Sequence, residues 1–246
     1  MKKIRKICLA IVFVCIAASV SAQFNFGVTA GVNTSTMSGL KQNENVSVNS
    51  KTGFQIGVAA QYMFTPKVGI ETGLYYTTLG VKGKEKAFYW EEGIKVEAKQ
   101  ETTLDPAYLH LPVSFLYKFQ IKEGLYLYPS VGVYLGHGIG GKVKLNLSGN
   151  VMGIPFSMDG NRNFFGKDIL IIDDEEGTDE EKTEIFNRFD MGGIAGLHLQ
   201  YSNFVIGVGY DMGLLKVNKD DLYDVDGKKL SDWKNANIHV SLGYFF

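Results

Sequence analysis

From Phe24 to the C-terminus the chain repeats one pattern, an apolar side chain at every second position set against small or polar ones. The last segment shows it plainly: Ile238, Val240, Leu242, Tyr244 and Phe246 fall at one parity, Asn237, His239, Ser241, Gly243 and Phe245 at the other. Residues two apart share a side of a β-strand, so the segment predicts a strand with one greasy face and one small or polar face. The same alternation recurs in seven earlier segments: Phe24–Val32, Phe54–Tyr62, Val68–Tyr76, Leu109–Phe119, Leu125–Leu135, Phe189–Tyr201 and Phe204–Met212, with Leu116 as an exception.

The connections alternate too. Segments two and three, four and five, and six and seven are joined by about two to four residues, suited to hairpins. The others are separated by much longer stretches, roughly Asn33–Lys51, Gly80–Pro106, Lys142–Asn187 and Leu215–Lys234. An even strand count with short turns at one end and long loops at the other is the layout of a bacterial outer-membrane barrel. The fold predicted is therefore all-β, an eight-stranded antiparallel transmembrane β-barrel with long extracellular loops, short periplasmic turns and both chain ends on the periplasmic side.

A soluble eight-stranded barrel turns its apolar face inwards around a ligand. Here the second face carries Gly, Ser, Gln, Glu, Lys, His, Asp and Tyr, which suits a hydrated or hydrogen-bonded lumen and not an apolar ligand. Aromatics gather where the strands meet the short turns, at Phe24, Phe26, Tyr62, Phe64, Tyr117, Phe119, Tyr201, Phe204, Tyr244 and Phe246, as an interfacial girdle requires.

Composition changes the picture once the N-terminus is set apart. Lys2, Lys3, Arg5 and Lys6 precede an apolar run from Ile7 to Ile16, and Val20-Ser21-Ala22 offers small residues for cleavage. Residues 1–22 are expected to be a signal peptide and residues 23–246 the barrel domain. The run is shorter than the roughly 20 apolar residues a spanning helix needs. Its removal takes away both cysteines (Cys8 and Cys15) and four positive charges, shifting the net charge from −1 to −5. That excludes a disulfide scaffold, a thiol nucleophile and a strongly basic nucleic-acid binder. The 29 Gly, 13 Tyr and 16 Phe against 5 Pro fit β structure with tight turns.

The start FNFGVTAGVN (Phe24–Asn33), the Gly-x-Tyr-rich middle strands and the end IHVSLGYFF (Ile238–Phe246) resemble the PorT-like outer-membrane β-barrel domain proteins, often called porin-family proteins, of Bacteroidota. The resemblance spans the mature chain through diffuse patterns, and it implies location and fold better than activity. The family includes an accessory protein of a secretion system. The terminal Phe246 on an aromatic last strand resembles the signal read by the outer-membrane assembly machinery.

Few residues carry candidate chemistry. Glu71 and Lys118 both read inwards near the short-turn end of neighbouring strands, either as a salt-bridged plug or as two separately solvated charges. His110, His198 and His239 also read inwards, without metal-ligand spacing, as lumen hydrogen-bonders. His137 and Asp211 sit at the height of the outer rim, with no nucleophile motif beside them. The acidic run containing Asp173, Asp174, Glu175 and Glu176 is a weak candidate for divalent cations and fits a solvated loop apex. Asp224-Val225-Asp226-Gly227 imitates half a calcium loop but lacks its first Asp and last Glu. The Gly136–Gly141 stretch opens no helix and so does not suit phosphate.

The expectation is a monomeric, non-enzymatic barrel without cofactor. It would have a largely filled lumen and act as a structural or surface-interaction protein. A narrow passive channel and an accessory role in secretion or surface assembly are the alternatives, with an outer-membrane enzyme last. Its partners would be outer-membrane lipid, the assembly machinery during biogenesis, and an extracellular or secretion-complex protein.

Overall fold

The computed structural model describes residues 24–40, 46–91, 94–151, 154–174, 177–219 and 231–246, without the side chains of 87–97, 151 and 167–184. The proposed signal peptide and Asp224–Gly227 lie outside the described residues. The strands are β1 (Phe24–Ser38), β2 (Val46–Met63), β3 (Val68–Thr78), β4 (Val81–Glu91), β5 (Ile94–Tyr117), β6 (Phe119–Lys122) and β7 (Leu125–Val151). They continue with β8 (Ile154–Asn163), β9 (Lys167–Asp174), β10 (Gly177–Glu184), β11 (Phe189–Tyr201), β12 (Phe204–Gly213) and β13 (Lys234–Phe245).

The pairing returns to its start. β1 pairs with β2, β2 with β3, β3 with β5, β5 with β7, β7 with β11, β11 with β12, β12 with β13, and β13 with β1, every pair antiparallel. This is a closed ring of eight strands, which leaves no unpaired sheet edge within the wall. The seam is long, running from Gly27↔Phe245 to Ser38↔Lys234.

The predicted parities hold in the wall. Val32, Ile56, Phe115, Val131, Ile206 and Leu242 lie half-exposed or more on the outer face, while Asn33, Gln55, Ser114, Asp211 and His239 are buried on the inner one. A side chain alternating in this way exposes its apolar atoms only if the outer surroundings are themselves apolar. At the short-turn end the girdle forms direct contacts: Phe24 to Tyr62 at 4.6 Å, Tyr117 to Phe119 at 4.6 Å, and Phe204 to Tyr244 at 5.1 Å between ring centroids. The hairpins there are tight, and Gly124 supplies the left-handed residue of one (φ 73°).

Three of the four expected long loops are largely strand, the first because β1 runs to Ser38 and β2 begins at Val46. β4 continues the line of β3 beyond Leu79-Gly80, pairing with the start of β2 and with β5, and β5 itself begins at Ile94. β7 runs on to Val151 and pairs with β8 through Lys142↔Asn163 to Val151↔Ile154. These extensions rise past the apolar band, where neither face meets lipid, so the apolar-polar contrast that marks the wall fades. The β5–β7 register slips between Ala107 and Tyr108, because Tyr108 faces Gly138 while Ala107 faces Gly140. The extra residue is a β-bulge in β7, with Gly141 at φ 132° beside it. It reverses the strand's parity: Val131, Val133, Leu135 and Ile139 face out below it, whereas Val143 above it packs inwards.

An apolar cluster caps the lumen at the long-hairpin end. Met37, Leu79, Val81, Leu104 and Tyr108 from the wall pack with Phe164, Phe165, Phe186 and Val217 from the connecting segments. Phe164 stacks on Phe186 at 4.0 Å. The segments are tied by backbone bonds from Asn187 to Val217 O (2.7 Å) and from Val217 to Trp233 O (2.7 Å). Arg188 Nη2 donates to Phe165 O at 2.6 Å, with the guanidinium 5.2 Å from the Phe165 ring.

Candidate functional site

Inward residues of an eight-stranded wall converge on a space about wide enough for their own side chains. At the short-turn end they form one hydrogen-bonded group around Gln61, which is 1% exposed. Gln61 Nε2 donates to Glu71 Oε2 at 2.6 Å and to the Tyr128 hydroxyl at 3.2 Å, while Lys118 Nζ donates to Gln61 Oε1 at 2.9 Å. Lys118, in the break between β5 and β6, also donates to Gln200 Oε1 at 2.8 Å and lies 5.2 Å from the Tyr128 ring centroid. The expected pair Glu71 and Lys118 therefore meets through an amide: Gln61 faces the carboxylate with its NH2 and the ammonium with its carbonyl. An amide in this orientation satisfies both charges and spares each from losing its water without a partner. Ala59, Leu116, Tyr128, Val205 and Phe245 close the lumen around this group.

A second polar tier lies towards the long-hairpin end. Asn235 Nδ2 donates to Asp190 Oδ2 at 2.8 Å, as does the Tyr134 hydroxyl at 3.1 Å. Asn237 Nδ2 donates to Asp211 Oδ2 at 2.8 Å, and His239 Nδ1 stands 3.5 Å from the same oxygen, within ion-pair reach but too long for a strong hydrogen bond. Cross-strand register explains the match, since Asp211 is directly opposite Asn237.

The three lumen histidines do not form one centre. His110 stacks on Tyr134 at 4.8 Å, His198 stacks on Tyr128 at 4.7 Å with its Nε2 3.1 Å from Ser130 Oγ, and His239 adjoins Asp211. His137 faces outwards against Phe189 at 5.0 Å, so it and Asp211 lie on opposite sides of the wall. Between the tiers lies a cavity of about 70 Å³, lined by Glu71, His110, His198, Asp211 and His239 among others. That is room for a few waters.

Among the described residues no group of three or more His, Cys, Asp or Glu is arranged to hold a metal ion. Asp173 and Asp174 lie on β9, opposite Thr178 and Gly177 of β10. Their side chains, and Glu175 and Glu176 altogether, lie outside the described residues. Phe246 is 74% exposed and bonded through its backbone N to Phe26 O at 2.8 Å. Sequence pattern placed Glu71, Lys118 and the histidines inside. It missed Gln61, Asp190, Asn235 and Asn237 as partners, although their inward parity was readable.

An eight-stranded closed wall with an apolar outer face, an aromatic girdle and a polar, filled interior defines an outer-membrane β-barrel. The family profile for the outer membrane protein beta-barrel domain matches residues 17–218, and the chain belongs to that family and resides in the outer membrane. No curated protein matches. Among solved structures, the chain is similar to Ail, the attachment invasion locus protein of Yersinia pestis, in complex with the heparin analogue sucrose octasulfate (16% identity, 91% of this chain and 99% of that one, TM-score 0.36). It is similar also to Neisserial surface protein A (13%, 90% and 97%, TM-score 0.37) and to OprG of Pseudomonas aeruginosa (14%, 91% and 96%, TM-score 0.33).

Proposed function

We propose that the protein is a closed, non-enzymatic outer-membrane barrel of the PorT-like type found in Bacteroidota, working as a monomeric surface-interaction scaffold. The observation that carries this reading is that the lumen is stopped twice. Tyr128, Lys118 and Gln61 fill one end, and the stacked Phe164 and Phe186 with Tyr108 fill the other. A conducting pore needs a continuous wet path, which two such stoppers interrupt. The hairpins β4–β5 and β7–β8, extended beyond the band, supply the exposed surface for an extracellular or secretion-complex partner. In this orientation the short turns and both termini face the periplasm, an arrangement that the shared end of Phe24, Phe246 and the tight turns supports. Planar-bilayer recording tests the reading. The purified barrel is expected to give no steady open channel, and a steady, large conductance from the wild-type protein would replace the scaffold by a channel.

A further inference from the structure

Above the β7 bulge the outer face of the wall changes from apolar to basic. Cross-strand register sets the rungs on that face. Lys142 is opposite Asp105, then Lys82, Thr103 and Lys144 share a rung, then Lys84, Glu101, Asn146 and the exposed Asp159, then Lys86, Lys99 and Ser148, so that six lysines stand against three acids. All six lysines are exposed. Two of the acids beside them are engaged: Glu101 by Lys84 at 2.7 Å and Asp105 by Lys51 at 2.8 Å. Lys84, with Lys82 and Lys99 close by, holds the Glu101 carboxyl below its ordinary range. Among the described residues Lys82, Lys86, Lys99, Lys142 and Lys144 have no ion-pair partner.

Their height is fixed by the strand. Ile139 is the last exposed large apolar residue of the outer face of β7 before the lysines, and Lys142 follows three residues later. At ~3.3 Å per residue and a tilt of ~45°, Lys142 lies about 7 Å above Ile139, and the rung of Lys82 and Lys144 about 5 Å higher. The headgroup layer occupies about 5–7 Å on each side of the hydrocarbon. Flexible lysine stems lower their ammonium groups into that layer while their backbone stands above it.

We infer that Lys82, Lys142 and Lys144, reinforced by Lys84, Lys86 and Lys99, form a docking surface for the phosphate groups of phosphorylated glycolipid in the outer leaflet. The occupant is argued from charge complementarity and from the continuity of the basic rungs with the lipid-facing band. It rests on the orientation proposed above. The bulge at Ile139–Gly141 has a role here, because without its parity change Lys142 and Lys144 would face the apolar cap.

Native mass spectrometry of the detergent-solubilised barrel, titrated with bis-phosphorylated lipid A, tests it. Each lysine near an anionic surface contributes about 1 kcal/mol, about fivefold in affinity, so the triple variant K82Q/K142Q/K144Q should bind about a hundredfold more weakly. Glu101→Gln should tighten binding by up to about fivefold, and raised salt should loosen the wild type. These side chains are exposed, and unchanged heat-modifiable gel mobility will show the variants folded. Equal affinity of the triple variant, equal binding of dephosphorylated lipid A, full competition by inorganic phosphate at equal concentration, or preferential binding of a soluble sulfated polysaccharide would each overturn the proposal. Labelling of a Ser148→Cys variant on intact cells reads the orientation separately: surface labelling with no lipid binding defeats the docking surface alone, whereas absent labelling defeats the orientation.

Discussion

Replacing Gln61 by Leu is the sharpest probe of how the lumen holds together. The substitution nearly preserves volume while deleting three hydrogen bonds, two of them to charged groups. Bonds to charges contribute about 1.5–3 kcal/mol each and the neutral bond to Tyr128 about 1 kcal/mol, for a gross loss of roughly 4–7 kcal/mol. Part returns. Lys118 keeps Gln200 as acceptor at 2.8 Å, and the leucine side chain recovers about 1–2 kcal/mol of burial. A net cost of about 3 kcal/mol is expected. Equilibrium urea unfolding of the barrel refolded into lipid vesicles, followed by tryptophan emission, measures it. The cost should fall to about 1 kcal/mol in a Glu71→Gln, Lys118→Met background, because no charge then depends on the amide. A change below about 0.5 kcal/mol in Gln61→Leu, or the same cost in both backgrounds, would refute the bridging role.

Three further outcomes are expected. Phe164→Ala, at a site 1% exposed and stacked on Phe186, should cost about 3–5 kcal/mol and permit intermittent conductance in planar bilayers, where none is expected of the wild type. Gly141→Ala forces a side chain onto a left-handed backbone packed against Asp105 O and should cost about 1–3 kcal/mol by urea unfolding. Phe246→Ala should lower the yield of barrel assembled in cells while leaving the unfolding midpoint of purified protein nearly unchanged, since the exposed ring packs chiefly on Tyr244 at 5.5 Å.

The wall was legible because lipid imposes its own period. Val131, Val133 and Leu135 must all face hydrocarbon, and no other two-residue repeat satisfies that. Above the band the constraint ends. Lys142 to Val151 alternates as regularly as the wall, yet both faces can meet water or protein there, so the stretch resembled a loop in sequence. The parity change around Ile139 to Gly141 concealed the continuation further, because a strand followed at fixed period appears to stop where its bulge begins. The lumen was legible to the level of which residues face it, and no further. Parity put Gln61, Glu71 and Lys118 inside, but their distances depend on rotamers and on the shear between strands, which a single strand's pattern does not contain. The cap was hidden for a related reason: Phe164, Phe165, Phe186 and Val217 are brought together by hydrogen bonds between segments far apart in sequence, with no shared period.

The division between wall and interior has an energetic consequence. In a soluble domain the apolar core both drives folding and fixes its uniqueness, but here the apolar surface is turned to lipid, where any greasy side chain of suitable size serves. Specificity must come from the inside, where Asp190 accepts from Asn235 and Tyr134, Asp211 from Asn237, and Glu71 and Lys118 share Gln61. Each of these bonds is directional and each lies between different strands, so together they oppose a slipped register that would leave a buried carboxylate without its donor. Outer-face substitutions among Val, Ile and Leu should therefore be nearly neutral in unfolding midpoint. Asn237→Leu, which keeps the volume and removes the donor to Asp211, should cost about 2–4 kcal/mol, since it leaves an acidic oxygen buried without its partner. Urea unfolding of Val131→Ile and Asn237→Leu side by side would decide the matter, and equal midpoints would place specificity in the wall after all.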